Sequence, residues 1–170
     1  MNKVLICRLD GPAPEFQAEP MHEQAYMVMA LEQAQAAAAR GEVPVGAVLV
    51  DAGSGRVLAQ AGNQVEALHD PTAHAEILVI RAAAAARGAA RLPDCDLYVT
   101  LEPCAMCATA ISFARLRRLH FGAYDPKGGG VEHGARVFQQ PTCHHVPEVI
   151  GGVMESDAGA LLQAFFRERR

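Results

Sequence analysis

Long apolar runs are missing from this sequence of 170 residues. Near its amino terminus stands only Val4-Leu5-Ile6, which is far shorter than the core of a signal peptide, and no stretch approaches the ~20 residues of a membrane span. The five cysteines suggest no disulfide framework, because two belong to one short motif and Cys7, Cys95 and Cys143 form no evident pairs. We therefore expect a cytoplasmic protein with no membrane partner.

The sequence also lacks an excess of positive charge. Its formal net charge is −4 and its pI is near 5.9, which argues against a protein that binds nucleic acid through overall charge. The charge is uneven, however: 7 basic and 13 acidic residues precede Arg115 (net −6), whereas 8 basic and 6 acidic residues follow from it (net +2). We expect any polyanion to contact the later segments.

No internal repeat divides the chain, and its length favours one domain. With 51% hydrophobic residues the chain can bury one sizeable core, while two independent domains would be cramped. Residues 1–20 contain Gly11-Pro12-Ala13-Pro14 and no sustained periodicity. We therefore predict a loose amino-terminal extension over residues 1–20 and a single domain over residues 21–170.

Apolar strands alternate with helical segments along this domain. The sequence predicts a helix over residues 21–40 that stops at Gly41, and then a hairpin of two strands, 43–50 and 56–61. A loop over 62–71 leads to later helices at 74–87, 104–114, 135–138 and 156–169, and to strands at 96–101, 116–121 and 146–150. Alternating strands and helices imply parallel crossovers on a sheet covered on both faces, an α/β fold.

Two short motifs contain the residues best suited to chemistry. His74-Ala75-Glu76 has the form H-x-E, and Pro103 to Cys107 has the form P-C-x-x-C. One imidazole and two thiolates suit Zn²⁺, and three protein ligands leave the fourth tetrahedral position open to water, as in catalytic sites. Glu76 is then the remaining carboxylate, placed to move protons.

The spacing of these residues predicts where their helices begin. Cys104 and Cys107 are three apart and share a face if they open a helix, and Pro103 suits its first turn. A helix amino terminus and a cation both favour the thiolate form. His74 and Glu76 would diverge by about 200° on the side of a helix, so they must approach one site at a helix end. Ala75 keeps the space between them small.

Each motif alone permits other interpretations. C-x-x-C could be a redox pair of the thioredoxin type, but that hypothesis gives His74 and Glu76 no role. The combination of H-x-E with P-C-x-x-C resembles the signature of the zinc-dependent nucleobase deaminases. The combined pattern therefore favours a zinc hydrolase in which Glu76 transfers protons.

Longer segments resemble one family within that class. VPVGAVLV (43–50), HDPTAHAEI (69–77), LYVTLEPCAMC (97–107) and FGAYDPKGG (121–129) are similar, in order and spacing, to motifs of the bacterial tRNA-specific adenosine deaminases. The resemblance extends over about residues 21–170. It implies a three-layer α/β/α cytidine-deaminase-like fold with a mixed five-stranded sheet, one zinc per chain and a homodimer. The implied reaction converts adenosine to inosine at the wobble position of an arginine tRNA anticodon.

The same resemblance implies roles for further residues. His74, Cys104 and Cys107 would hold the zinc, and Glu76 would be the catalytic proton shuttle. Asn63 would contact the inserted base, although an Asn here is also an ordinary turn residue. The backbone N–H of Ala75 would help to hold the base or the water. By the same resemblance, Asp125 would face the RNA beside the target nucleotide, and Lys127 would contact a phosphate.

Two segments depart from the pattern of the best-known members of this family. Residues 128–133, GGGVEH, are richer in glycine and more acidic, and His144-His145 replace a single His followed by Arg. The extra histidines raise the alternative of a second metal, but adjacent His side chains diverge and no third ligand is evident. We expect these departures to alter RNA contacts and not the zinc chemistry.

Two rival functions remain open. A free-base or nucleoside deaminase of the guanine or cytosine type would share the zinc motif. A non-catalytic RNA-binding subunit is the other rival, although a metal site kept only for folding has no need of Glu76. If the substrate is an anticodon stem-loop, the carboxy-terminal Arg167, Arg169 and Arg170 are candidate RNA contacts, which we expect to lie far from the zinc.

Overall fold

The computed structural model describes residues 23–169, so the predicted extension over residues 1–20 and the candidate RNA contact Arg170 lie outside the described residues. Five strands form one sheet in the order β2-β1-β3-β4-β5. β1 pairs antiparallel with β2 and β3, whereas β3, β4 and β5 run parallel. The elements are α1 (Glu23–Ala39), β1 (Gly46–Asp51), β2 (Val57–Gly62), α2 (Val65–Leu68), α3 (Ala75–Arg87), β3 (Cys95–Leu101), α4 (Ala105–Phe113), β4 (Arg118–Ala123), a 3₁₀ turn (Val137–Gln139), β5 (Glu148–Ile150) and α5 (Glu155–Arg167). The mixed five-stranded sheet of the prediction is confirmed.

Side chains that alternate along the strands build a core on each face of the sheet. Ala47 and Leu49 of β1 pack in the cluster that contains Val79 of α3 and Ile111 of α4. Val48 and Val50 point to the other face and pack against α1. α5 joins α1 on that second face, where Leu31, Ala123 and Ala158 form a third cluster. Because successive strand residues face opposite sides, both faces are covered and the fold has three α/β/α layers.

Most predicted elements appear within a few residues of their expected bounds. Gly41, at a φ of 86°, follows the end of α1 as predicted. The first strand starts at Gly46 and not at Val43, because residues 43–45 form a tight turn closed by the N–H of Val45 and the carbonyl of Val43, 2.8 Å apart. Pro103 precedes the helix cap, Cys104, so its expected place in the first turn of α4 is wrong.

The expected loop over residues 62–71 contains the short helix α2. The buried carboxylate of Glu42 accepts hydrogen bonds from the first N–H groups of this helix, at 3.3 Å from Glu66 and 2.9 Å from Ala67. These groups have no partners within a helix, so Glu42 stabilises its start. This stabilising residue lies more than twenty positions away, and a local pattern cannot reveal it.

One edge of the sheet collects the ends of four strands. The carboxyl ends of β2, β3 and β4 and the amino end of β1 lie there, as the strand registers require. The segments that follow β2, β3 and β4 carry Asn63, Cys104 and Asp125, and α3 begins at the same edge. In α/β sheets this edge forms the usual ligand crevice. Within residues 23–169, no helix is both long and apolar enough to cross a bilayer.

Candidate active site at the carboxyl edge of the sheet

The start of α3 places His74 and Glu76 together. His74 is the cap residue, with extended backbone angles (φ −71°, ψ 150°), and Glu76 lies in the first helical turn. The change from extended to helical backbone brings the two side chains to one cavity, as their spacing predicted. Asn63 fixes this turn, because its Oδ1 accepts a hydrogen bond of 2.9 Å from the N–H of Ala75. That bond uses the N–H that the family resemblance assigns to the base or the water.

The start of α4 places the two cysteines. Cys104 is the cap residue of this helix (φ −68°, ψ 172°), and Cys107 lies one turn further, fully buried. The N–H of Ala108 donates to the carbonyl of Cys104 at 2.9 Å, which closes the first turn. Both thiols therefore lie beside the positive end of the helix dipole, which favours a thiolate.

The three donor atoms have the separations of ligands that share one ion. Nδ1 of His74 lies 3.7 Å from Sγ of Cys104 and 3.5 Å from Sγ of Cys107, and all three atoms lie within 4.8 Å of one another. Bonds of about 2.3 Å to sulfur and about 2.05 Å to nitrogen, at a tetrahedral angle, would separate N from S by about 3.6 Å. These residues could hold a metal, and their soft donors and spacing fit zinc.

Hydrogen bonds among His74, Cys104 and Cys107 shift the pKa values of all three side chains. A hydrogen bond from the Cys107 thiol lowers the pKa of Cys104 to about 4, although partial burial opposes the shift. The same bond, together with burial, raises the pKa of Cys107. The interaction with Cys104 also raises the pKa of His74. The shifts favour a thiolate at Cys104, and a divalent cation would replace the protons that the Cys107 thiol and the imidazole otherwise hold.

Glu76 is the buried carboxylate beside this group. Only 3% of the residue is exposed, and its Oε2 has no hydrogen-bond partner among residues 23–169. Burial raises the pKa of Glu76 because the charged form loses its hydration. A carboxyl group with a raised pKa and an unpaired oxygen in a cavity is suited to accept and return a proton.

A cavity of about 520 Å³ opens in front of these residues. Its volume lies in the range of small-molecule sites. Lys127 does not line it, but lines an adjoining groove of about 900 Å³ with Arg167 and Phe166. The cavity brings together the predicted residues His74, Glu76, Cys104, Asn63 and Asp125 with Glu42, Val43, Glu102, Gly128, Phe165 and Arg169.

Arg169 is closer to the candidate metal site than the sequence suggested. It lines the same cavity as His74 and Glu76, so the expectation that it lies far from the zinc is wrong. Its guanidinium carbon lies 3.6 Å from the centre of the Phe165 ring, a cation–π contact. The spacing of four residues on a helix predicts this pair, but not that α5 folds over the sheet edge.

Two buried carboxylates were missed by the sequence analysis. Glu42 supports α2 at one side of the cavity, and Glu102 lies at the other side, just before Pro103. Burial opposes ionisation of Glu102, but hydrogen bonds from Asp125 and His133 outweigh it and lower its pKa. For Glu102, the only signal in the sequence was that a charged residue directly follows the apolar strand β3.

The paired histidines do not form a second metal group. His145 directs Nε2 to the carbonyl of Leu116, 2.6 Å away, while His144 is exposed. Across residues 23–169, the one cluster of His, Cys, Asp or Glu that could hold a metal is His74, Cys104 and Cys107.

The fold and this site together define a cytidine-deaminase-like protein. Residues 20–123 match the model of the cytidine and deoxycytidylate deaminase zinc-binding region. A tRNA-specific adenosine deaminase of Agrobacterium fabrum is 60% identical over 145 residues, which cover 85% of this chain and 94% of that protein. The chain belongs to the family of the tRNA-specific adenosine deaminases.

Solved structures agree with this relationship. A structure from work on A-to-I editing by tRNA:A34 deaminases at the wobble position has a TM-score of 0.80 and 58% identity, and the match covers 82% of this chain and all of that one. A guanine deaminase from Nitrosomonas europaea has a TM-score of 0.74 at 25% identity, with 97% of both chains covered. This guanine deaminase thus shares the fold at a lower sequence identity than the tRNA deaminase structure.

Proposed function

We propose that this chain hydrolyses adenosine to inosine at the wobble position of an arginine tRNA anticodon, in the cytoplasm. The observation that carries the proposal is the buried, unpaired Oε2 of Glu76 beside the group of His74, Cys104 and Cys107. Identity of 60% to a tRNA-specific adenosine deaminase supports the choice of substrate. Residues 21–170 would form the deaminase domain, with residues 1–20 as an extension.

One zinc per chain would be held by His74, Cys104 and Cys107. The donor set and its separations support this choice of metal. Bound zinc supplies Lewis acidity, which lowers the pKa of water so that hydroxide exists near neutral pH. The conformations of the two helix starts bring the three ligand atoms together, and His74 and Cys104 also line the cavity.

Glu76 would move the protons of the reaction. Its Oε2 accepts the proton of the attacking water and passes it to N1 of the purine ring while oxygen bonds to C6. The same carboxylate then takes the remaining proton from the new C6 hydroxyl and gives it to the amino group, so the C6 oxygen becomes a carbonyl as the C6–N bond breaks and ammonia leaves. The products, inosine and ammonia, account for all atoms of adenosine and water. Burial suits Glu76 to both steps because it raises the pKa of the carboxyl.

The surroundings of the cavity fit a base that is displaced from an RNA loop. Asn63 would contact the base with its amide nitrogen, while its Oδ1 accepts the hydrogen bond from the N–H of Ala75. Ala75 would therefore contribute indirectly, because this bond fixes the start of α3. Asp125 would face the neighbouring nucleotide. Lys127 and Arg167 line the adjoining groove and would meet phosphates. An anticodon loop is single-stranded, which lowers the cost of unstacking its base.

A homodimer would complete the assembly. An apolar groove between α3 and α4 is lined by Ile77, Ala105, Met106, Thr109, Ala110 and Phe113. Phe113 is 73% exposed, the highest value among the large apolar side chains of the described residues, and it adjoins the other apolar residues of this groove. A second copy of the chain would cover this groove, on the face of the sheet opposite to α1 and α5.

The direct test measures inosine formation on an arginine anticodon stem-loop beside free adenine, cytosine and guanine. We expect turnover of the stem-loop and none of the free bases, because the adjoining cationic groove acts only on a polyanion. Ready deamination of a free base without turnover of the stem-loop would assign the chain to the rival class.

A further inference from the structure

Glu102 is a fully buried carboxylate whose oxygens are both occupied by one loop. No part of its side chain is exposed to solvent. Oε1 accepts hydrogen bonds from the backbone N–H groups of Val131 at 3.3 Å, Glu132 at 2.9 Å and His133 at 2.9 Å. Oε2 accepts from the N–H of Asp125 at 3.0 Å. All these donors lie within residues 125–133, which we call the substrate loop.

The side chain of His133 adds a further contact. Its Nδ1 lies 2.8 Å from Oε2 of Glu102. Five donors thus surround two oxygens, which fills the about four lone-pair sites of a carboxylate. Such charge-assisted bonds are stronger than neutral ones, and they are strongest where water is excluded.

Glu102 also adjoins the candidate metal ligands, because Pro103 and Cys104 follow it directly. The substrate loop contacts this segment as well: the N–H of Gly130 donates to the carbonyl of Pro103 at 2.8 Å, and Gly129 forms an isolated bridge with Cys104. Glu102 therefore connects the start of α4 with the loop that carries Asp125 and Lys127.

The glycines at this contact leave space for the carboxylate. A Cβ atom at Gly129 would lie 2.5 Å from Oε1 of Glu102 and 2.6 Å from the carbonyl oxygen of Asp125. A Cβ atom at Gly130 would collide with the backbone of Ala105. The glycine-rich sequence of this loop, which departs from the familiar family pattern, thus permits close approach of its backbone to Glu102 and α4.

We propose that Glu102 is a positioning residue that locks the substrate loop onto the start of α4 and thereby sets where Asp125 and Lys127 meet the RNA. This inference rests on the proposed function, because it concerns how the same site binds its substrate. Both oxygens of Glu102 are occupied by donors of the loop, and the residue does not belong to the candidate metal group. Its role is to hold Asp125 at the cavity wall and Lys127 at the adjoining groove.

The first variant is Glu102→Gln, which keeps the shape of the side chain but replaces one acceptor oxygen by a donor. Either the three N–H groups at Oε1 or the pair at Oε2 then face an NH₂ group, so one end of the loop is released. We expect KM for the stem-loop to rise about tenfold or more while kcat falls less than about threefold. Zinc content should stay at the wild-type value, and amide hydrogen exchange across residues 125–133 should become faster.

The second variant, Gly129→Ala, disrupts the same contact from the loop side. The φ angle of Gly129 lies outside the left-handed region, so the added methyl group acts only through its collision with Glu102 and Asp125. We expect the same rise in KM, and the double variant should be no worse than the more severe single variant because both remove one interaction. Gly159→Ala is the matched control: its Cβ on α5 meets no atom within 4 Å, so KM and exchange should not change.

The outcomes separate this inference from the proposed function. A Glu102→Gln protein that loses zinc, or whose kcat falls while KM stays unchanged, would overturn the positioning role. Additive effects of the two substitutions would also overturn it. If Glu102→Gln does not fold, Gly129→Ala gives the same readouts. If the wild-type chain does not deaminate the stem-loop, the proposed function fails, while hydrogen exchange still shows whether Glu102 holds the loop.

Discussion

At the scale of single residues, two buried glutamates differ in what surrounds their oxygens. Oε2 of Glu76 has no partner among the described residues, whereas the oxygens of Glu102 accept from five donors. A carboxyl group with one unpaired oxygen can take up and release a proton, and a fully bonded one is fixed in place. The same side chain thus suits catalysis in one position and support in the other.

The metal ligands lead to the first prediction. We expect one zinc per chain in the purified protein and loss of most of it in Cys104→Ala, because two protein ligands hold zinc poorly. Elemental analysis measures the content. Cys143→Ala is the matched control, since Cys143 lies outside the metal group and should keep full zinc. Unchanged zinc in Cys104→Ala would contradict the assignment.

The role of Glu76 leads to the second prediction. Glu76→Ala should keep its zinc and its melting temperature within a few degrees but lose about 10²–10⁴-fold in kcat, the usual contribution of a proton-transfer group. Glu76→Gln should lose a similar factor, because its amide has the same shape but cannot carry the proton. Single-turnover assays on the stem-loop measure the loss. A variant that retains more than about a tenth of the wild-type rate would disprove the proton shuttle.

The sequence predicted the residues that carry the chemistry, but not the buried residues that hold the surrounding loops in place. H-x-E and P-C-x-x-C combine ligand chemistry with spacing that helix starts can satisfy, so His74, Cys104, Cys107 and Glu76 could be predicted as one group. Glu102 lies between the strand and the second motif, yet its partners are about 23 to 31 residues away. No local pattern predicts a contact that depends on how a distant loop folds.

At the scale of elements, helix starts and a helix end shape the site. α3 and α4 begin at the sheet edge and present His74, Glu76 and Cys104, while the end of α5 brings Arg169 over the same cavity. The helices themselves were predictable from composition and stop signals. The short α2 was not, because the carboxylate that stabilises it belongs to Glu42, beyond the end of α1.

The position of α5 leads to the third prediction. Replacing Arg167 and Arg169 by Gln should raise KM for the stem-loop and reduce its salt dependence, because each phosphate contact to a single strand contributes a slope of about 0.7. Titration of KM against salt concentration measures both changes. Arg56→Gln is the matched control, since this exposed cation lies at the opposite end of β2. A double variant with the same salt dependence of KM as the wild type would show that Arg167 and Arg169 do not contact the RNA.

At the scale of the whole molecule, three cations from the more basic part of the sequence line one opening. The net charge from Arg115 onward is +2, and Lys127, Arg167 and Arg169 of this part line the groove beside the catalytic cavity. The acidic first part supplies most of the sheet and the helices α1 and α3. A chain of net charge −4 can therefore present a cationic surface to RNA, which the overall composition concealed.

The face of the sheet that α3 and α4 cover leads to the last prediction. If the apolar groove between α3 and α4 joins two copies, Phe113→Glu should place a charge in the contact and convert a dimer to a monomer, because burying an unpaired charge is strongly unfavourable. Light scattering coupled to size exclusion, at low micromolar concentration, measures the mass against the 18.1 kDa of one chain. Phe166→Glu is the control for the same chemical change, since Phe166 is 48% exposed on α5, on the other face of the sheet. The wild type and Phe166→Glu should both have about twice the mass of a chain. A monomeric wild type, or a Phe113→Glu protein that stays dimeric, would show that this groove does not join two copies.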